Sequence, residues 1–331
     1  MGLMNFLQQK GRQVLGLVLT ATFLSTIFAY GTGGYRAVRD QPLFFTPEMI
    51  GTHLESYNEE EKAEIAKDLE VVRSVCFAAQ EVAKNLNPKP FYLATAGAPG
   101  ARKSTILERF MHEHPEYAQA VYLDPDQRTL KFMAHTYYAQ SLNALRAGMT
   151  GQFTAVVQAA YDKWRGASNY IVLTLFEDAF ANRDNIAYGT TSTGAHVPDF
   201  FQRLHTAGYD ITLLLCSCED NLRKEAIEYR NEQQRFYQSS PEDAVAKGKF
   251  FPQRMPAYFT HADTLYIYWS DDLFSPERLA AVLDHGTYTV HDPSALNLFI
   301  AKYESDRTNL QAEGKTLPTW NELVNTYKAR F

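Results

Sequence analysis

The 331-residue chain is 45% hydrophobic and 21% charged, a composition that supports a sizeable globular core and excludes a disordered tail protein. Its 32 Lys+Arg against 38 Asp+Glu leave a net charge of −6, so no global basic field exists to hold nucleic acid, and such a partner is not expected. Three cysteines, Cys76, Cys216 and Cys218, exclude a disulfide framework, and Cys-x-Cys without a second pair lacks the spacing of a structural zinc site.

The first predicted segment is the leader. No charge occurs between Arg12 and Arg36, and the stretch from Val14 to Tyr30 is strongly apolar. Lys10 and Arg12 precede it, and Ala29-Tyr30-Gly31 offers small residues at signal-peptidase spacing, which reads as a cleaved export signal. An uncleaved anchor is the other reading, because Gln13 to Tyr35 supplies the roughly 20 residues that one bilayer span needs. Residues 1–34 are therefore expected to be a signal peptide or membrane anchor, with residues 14–30 meeting the membrane. Flanking charges on both sides, Lys10 and Arg12 against Arg36 and Arg39, do not orient it.

Residues 35–89 form the next segment. Thr46-Pro47-Glu48 signals a helix start, and Glu59 to Leu86 places Ile65, Leu69, Val72 and Cys76 on one helical face, opposite the wet run Glu59-Glu60-Glu61. Asn87-Pro88-Lys89-Pro90 ends that helix.

Over 90–272 the pattern changes to short apolar runs separated by helical stretches. Phe91–Ala96, Val121–Leu123, Asn185–Tyr188, Ile211–Cys216 and Thr264–Trp269 read as buried strands of an α/β, doubly wound parallel sheet of about five strands with helices on both faces. The long Tyr-, Ala- and Gln-rich stretch between the second and third runs predicts two or three helices, broken at Gly148-Met149-Thr150-Gly151 and Gly166-Ala167-Ser168. Residues 273–331 are expected to be a helical extension, with starts at Ser275-Pro276-Glu277, Asp292-Pro293-Ser294 and after Pro318.

The strongest motif is Gly97-Ala98-Pro99-Gly100-Ala101-Arg102-Lys103-Ser104, between a predicted strand and a predicted helix, with Thr105 next in the first turn. It resembles a Walker A phosphate loop, in which backbone amides and the helix N-terminus converge on phosphate oxygens. Lys103 would then reach the β/γ-phosphates and Ser104 would bind Mg²⁺. Arg102 departs from the pattern where glycine is usual, and needs an outward path for its side chain. A Gly/Pro-rich turn that binds nothing is the bland alternative.

The strand Val121-Tyr122-Leu123 ends in Asp124-Pro125-Asp126, and strand C-termini face the same crevice as the phosphate loop. One carboxylate there can accept a hydroxyl proton while another holds Mg²⁺, although Asp-Pro-Asp is also an ordinary helix cap. Arg223, Lys224, Arg230, Arg235, Lys247, Lys249 and Arg254 supply cations over the helices after the fourth strand. Such charges suit a transferring phosphoryl group, but equally solvate a helix face. His196, before Val197-Pro198, reads as a polar helix cap, and His261 and His285 have no partner at metal-ligand spacing.

The order of these motifs, together with Gly-Thr-Thr-Ser-Thr-Gly-Ala-His-Val-Pro from Gly189 and Glu-Tyr-Arg at 228–230, resembles the zeta toxin family of small-molecule kinases over roughly 90 to 270. The resemblance implies a P-loop kinase fold, ATP and Mg²⁺ as cosubstrate and cofactor, and UDP-N-acetylglucosamine as hydroxyl acceptor. By position, it assigns Lys103 and Ser104 to the phosphates and metal, Asp126 to the acceptor hydroxyl, Arg230 to the lid and Thr190 to the acceptor pocket. Asp124 joins Ser104 as a possible metal ligand, and Lys249 and Arg254 are alternative second lid cations. Tyr188 and Ser192 stand where the family carries a pocket acid and arginine, and a second pocket acid falls near Val172. Those substitutions remove hydrogen-bond partners that would select a sugar nucleotide, so the acceptor stays open among small hydroxyl compounds. They and Arg102 also keep a second reading, a catalytically inactive nucleotide-binding module that acts through protein contacts. A protein partner or antitoxin is not identified by any residue pattern.

Overall fold

A computed structural model describes residues 44–78, 89–146, 153–233 and 240–331. The leader at 1–34, the helix stop at Asn87-Pro88, the break at Gly148 to Gly151 and Arg235 lie outside the described residues. Among the described residues, no helix is long and apolar enough to cross a membrane.

The described residues open with α1 (Pro47–Gly51), N-capped by Thr46 as its hydroxyl predicts, and α2 (Glu59–Phe77), closed at its start by an Asn58–Glu61 capping box. Ile65, Val72 and Cys76 are buried, while Leu69 is partly buried, so the predicted apolar face is the packed one. The P-loop region then alternates β1 (Phe91–Ala96), α3 (Lys103–Glu113), β2 (Val121–Leu123), a π-helical turn (Pro125–Leu130), α4 (Tyr137–Arg146) and α5 (Phe153–Ala181). There follow β3 (Ile186–Tyr188), α6 (Val197–Thr206), β4 (Asp210–Ser217), α7 (Asp220–Gln233), α8 (Pro241–Gly248), α9 (Phe250–His261) and β5 (Thr264–Trp269). After β5 come β6 (Arg278–Asp284), β7 (Thr287–Val290), α10 (Pro293–Ala312) and α11 (Trp320–Lys328).

The seven strands of the described residues form one sheet of order β2-β3-β1-β4-β5-β6-β7. The first five are parallel, in register from Tyr92 opposite Ile186 and Ile211, while β6 and β7 add antiparallel at the β5 edge. Alternate residues of β1 serve different layers. Tyr92, Ala94 and Ala96 join the larger core with α2, α5, α6, α9, α10 and α11, whereas Phe91 and Leu93 pack on Ile106, Leu107 and Phe110 of α3.

Two expectations are corrected. Ser275-Pro276-Glu277 leads into a strand rather than a helix, because Leu279-Ala280-Ala281-Val282-Leu283 finds an open sheet edge at β5 and buries Ala280, Ala281 and Leu283 there. Gly166-Ala167-Ser168 is no break: α5 runs through it for 29 residues, and Ala167 and Ser168 are buried within the helix.

Candidate active site

Because β1 is buried along its length and ends at Ala96, the Gly97–Arg102 turn emerges at the C-terminal end of the sheet and α3 starts at Lys103. The turn is closed by Gly97 N–H donating to Thr191 O at 3.1 Å and Ala101 N–H to Ala98 O at 3.2 Å. Gly100 has φ +85° and packs on Arg223, where a Cβ would collide with the backbone. Lys103 Nζ donates to Ala98 O at 2.8 Å, folded back across the turn, and desolvation pulls its ammonium down to about 8. Ser104 lies in the first turn of α3, partly exposed, with Thr105 exposed beside it.

Arg102 takes the left-handed conformation, φ 55°, that the usual glycine adopts without cost. For an arginine that conformation costs about 1–2 kcal/mol. Its side chain turns out of the loop, as required, and donates from Nη1 to Asp272 O at 3.0 Å and Ser275 O at 2.7 Å. Nη2 pairs with one Glu277 oxygen at 3.0 Å, and Arg109 of α3 pairs with the other at 2.7 Å. Glu277, buried just before β6, thus clamps both ends of the first turns of α3. Nothing in the sequence pairs Glu277 with residues 168 or more positions away.

On the next strand but one, Asp124 follows β2 and caps the π-helical turn, its Oδ1 accepting from Asp126 N–H at 2.8 Å and Gln127 N–H at 2.7 Å. The cap reading therefore holds alongside any chemical role. Burial, with the Asp126 carboxylate adding, pushes the Asp124 carboxyl up to about 7. Asp126 extends beyond the cap and pairs with Arg165 Nε at 3.2 Å. Arg165 and Ser168 share one face of α5, and the Ser168 hydroxyl donates to Pro125 O, so the helix holds the Asp124–Asp126 turn from one side. Arg165 adjoins the predicted break at Gly166, where a helix face gives no signal; on the continuous helix its guanidinium lies 5.9 Å from the Tyr161 ring, four residues before it, and that spacing is the signal for it.

Arg230, on α7, lies within electrostatic reach of Asp126 and Lys103, and its Nε has no hydrogen-bond partner among the described residues. Tyr188 ends β3 within electrostatic reach of Arg165, Asp124 and Asp126, and burial pushes its phenol up to about 12. Thr190 is held beside β1 by mutual bonds with Thr95: its N–H donates to Thr95 Oγ1 at 3.1 Å, and Thr95 Oγ1 donates to Thr190 O at 2.6 Å. Ser192 is buried, φ 50°, with Oγ donating to Thr95 O at 2.8 Å. Arg254 Nε donates to Gly194 O at 2.8 Å, supporting the same segment, while Lys249 is 3.9 Å from Glu313. His196 occupies the N-cap position of α6 without a side-chain cap bond, which corrects the expected capping role.

One sheet end therefore gathers a phosphate-type turn, a lysine, two carboxylates and two arginines from β1–α3, β2, α5 and α7. Among the described residues no group of three or more His, Cys, Asp or Glu could hold a metal by itself. Ser104 and Asp124 nevertheless offer hard oxygen ligands, and Mg²⁺ is commonly held by one or two carboxylates together with substrate phosphates, so the pair fits that ion.

A family model described as Zeta toxin matches residues 77–250. Among solved structures, a chain of AvrRxo1-ORF1:-ORF2 with ATP aligns with TM-score 0.52 and 11% identity, covering 91% of this chain and 97% of that one. The native AvrRxo1-ORF1:-ORF2 complex gives 0.50 and 11%, covering 92% and 97%. A chain of the PezAT chromosomal toxin-antitoxin system of Streptococcus pneumoniae gives 0.48 and 16%, covering 82% and 99%. No curated protein sequence matches the chain. At such identities the likeness to the AvrRxo1 chains is one of fold.

Proposed function

This chain belongs to the zeta toxin family, and from that premise we propose that it is an ATP-dependent phosphotransferase that moves the γ-phosphate of ATP to a hydroxyl of a small molecule. The convergence of Lys103, Asp126 and Arg230 at the end of the sheet carries the reading. The turn from Gly97 to Ser104 and the amides of Thr105 and the α3 N-terminus would cradle the phosphates. Lys103, desolvated and bonded to a carbonyl of its own turn, would exchange Ala98 O for phosphate oxygens, whose negative charge favours the ammonium form. Asp126 would accept the proton of the acceptor hydroxyl, held in place by Arg165. Arg230 would stabilise charge on the transferred group. Ser104 and Asp124 would hold Mg²⁺, which when bound would supply positive charge against the phosphates.

The acceptor in this reading is a small hydroxyl compound, with a nucleotide sugar among the candidates, Thr190 and Tyr188 lining its place and Ser192 acting through the backbone of β1 rather than by direct contact. The leader supports export or membrane anchoring, which N-terminal sequencing of the mature chain checks. Turnover of ATP·Mg²⁺ against a panel of nucleotide sugars and other hydroxyl compounds tests the main reading. Lys103→Ala and Asp126→Asn should each lower turnover by about 10²-fold or more; unchanged turnover in both would sink it. Tyr188 favours the second reading, an inactive nucleotide-binding module, and calorimetry separates the two: tight ATP binding without turnover of any acceptor supports the module.

A further inference from the structure

Phe274 is the most exposed large apolar side chain among the described residues, 77% accessible, and its ring meets Tyr229, 40% accessible, edge-on at 5.6 Å. An apolar ring this exposed is ordinarily mobile, yet the backbone beneath it is fastened on both sides. Asp272 Oδ1 accepts the N–H groups of Phe274 and Ser275, each at 2.7 Å, and Arg102 Nη1 donates to Asp272 O and Ser275 O. The aromatic platform is thereby tied to the residue that immediately precedes Lys103 in the phosphate turn.

Position in the sheet adds a second, independent observation. β1, β4 and β5 are adjacent and parallel, so the phosphate turn after β1, α7 after β4 and the Phe274 loop after β5 all emerge at the same end, where ligands of open α/β sheets lie. Tyr229 precedes Arg230, whose charge reaches Asp126, so one ring of the pair shares a helix with a cation of the site. A ligand whose phosphates enter the turn would carry its remaining part outward past this pair.

We propose that Phe274 and Tyr229 form the base subsite of the phosphate donor, which takes the planar nucleobase of a nucleoside triphosphate by stacking; this rests on the donor reading above. Arg102 then has a defined use. The arginine that replaces glycine sets the distance between base platform and phosphate turn, so that both parts of one ligand are met by preorganised groups.

The test compares equilibrium binding of ATP·Mg²⁺ and of inorganic tripolyphosphate·Mg²⁺ to the full chain. Phe274→Ala should weaken ATP binding about tenfold, within the range of base–aromatic stacking, and leave tripolyphosphate within about twofold. Phe274→Trp should retain ATP binding, and Tyr229→Ala should show a smaller loss confined to ATP. Because Phe274 is exposed, the melting temperature of the alanine variant should match the parent. Unchanged ATP affinity in Phe274→Ala, or an equal loss for both ligands, overturns the base subsite alone. Failure of the parent chain to bind either ligand overturns the donor reading and the subsite with it, whereas Lys103→Ala should weaken both ligands together if the donor reading holds.

Discussion

Asp124 is buried with its cap bonds made, and the same burial that raises its carboxyl to about 7 makes ionisation costly in the folded chain. Between its ordinary value near 3.8 and about 7 the unfolded chain releases this proton while the folded chain keeps it, so stability falls as pH rises through that window and is level above it. Asp124→Asn keeps an oxygen for the two backbone amides and removes the titration. Its melting temperature should exceed that of the parent by at least about 3 °C at pH 8, with the gap shrinking toward pH 4, while phosphotransfer falls. A parent-like melting temperature at pH 8 would show that the carboxylate is better solvated than its surroundings indicate. Gly189 belongs to the same site, because a Cβ there would strike the Asp124 carboxylate. Gly189→Ala should therefore destabilise the chain and displace Asp124, which combined denaturation and turnover measurements would register.

Between elements, the decisive links are Glu277 with Arg102 and Arg109, and α5 with the Asp124–Asp126 turn. Removing one partner of a buried ion pair typically costs 3–5 kcal/mol, and Glu277→Ala should sit at about 3 kcal/mol because both arginines retain some contact with solvent. Urea denaturation measures that loss, and an effect below about 0.5 kcal/mol would assign the network to the surface class. Arg165→Gln tests the other link. If Arg165 aims Asp126, kcat should fall about tenfold or more with ATP affinity unchanged, whereas a merely structural role would lower the melting temperature and both constants together. Lys103, the two acids and Arg230 were legible as residue types at motif spacing. Arg165 and Glu277 were not, since each acts on a residue 39 or more positions away and chain distance carries no sign of that proximity.

At the scale of the molecule, the segment after Trp269 is part of the sheet and of its principal core. β6 and β7 extend the sheet, and Leu296, Phe299, Tyr303, Trp320, Leu323 and Tyr327 of α10 and α11 pack into the cluster that holds β1, β4 and β5. The Tyr327 hydroxyl donates to Asp263 O, directly before β5. A chain ending at residue 272 would expose those core faces and lose the Glu277 clamp on the phosphate turn. It should lack a cooperative unfolding transition and fail to bind ATP, as calorimetry and circular dichroism would show; a folded, ATP-binding 1–272 chain would make the C-terminal part dispensable.

What the sequence determined by itself is local. Alternation and apolar runs specify the parallel strands, because each strand buries both faces, and the glycine-rich turn before Lys103 declares a phosphate loop, because that chemistry needs backbone amides at a helix start. The family follows from the order of those motifs. The tertiary structure decided the rest: that the run after Ser275 pairs as a strand, that Arg102 leaves the loop for Glu277, and that Arg165 meets Asp126. Each depends on an open edge or an opposite charge supplied from a distant part of the chain, and such a partner exists only once the chain has folded.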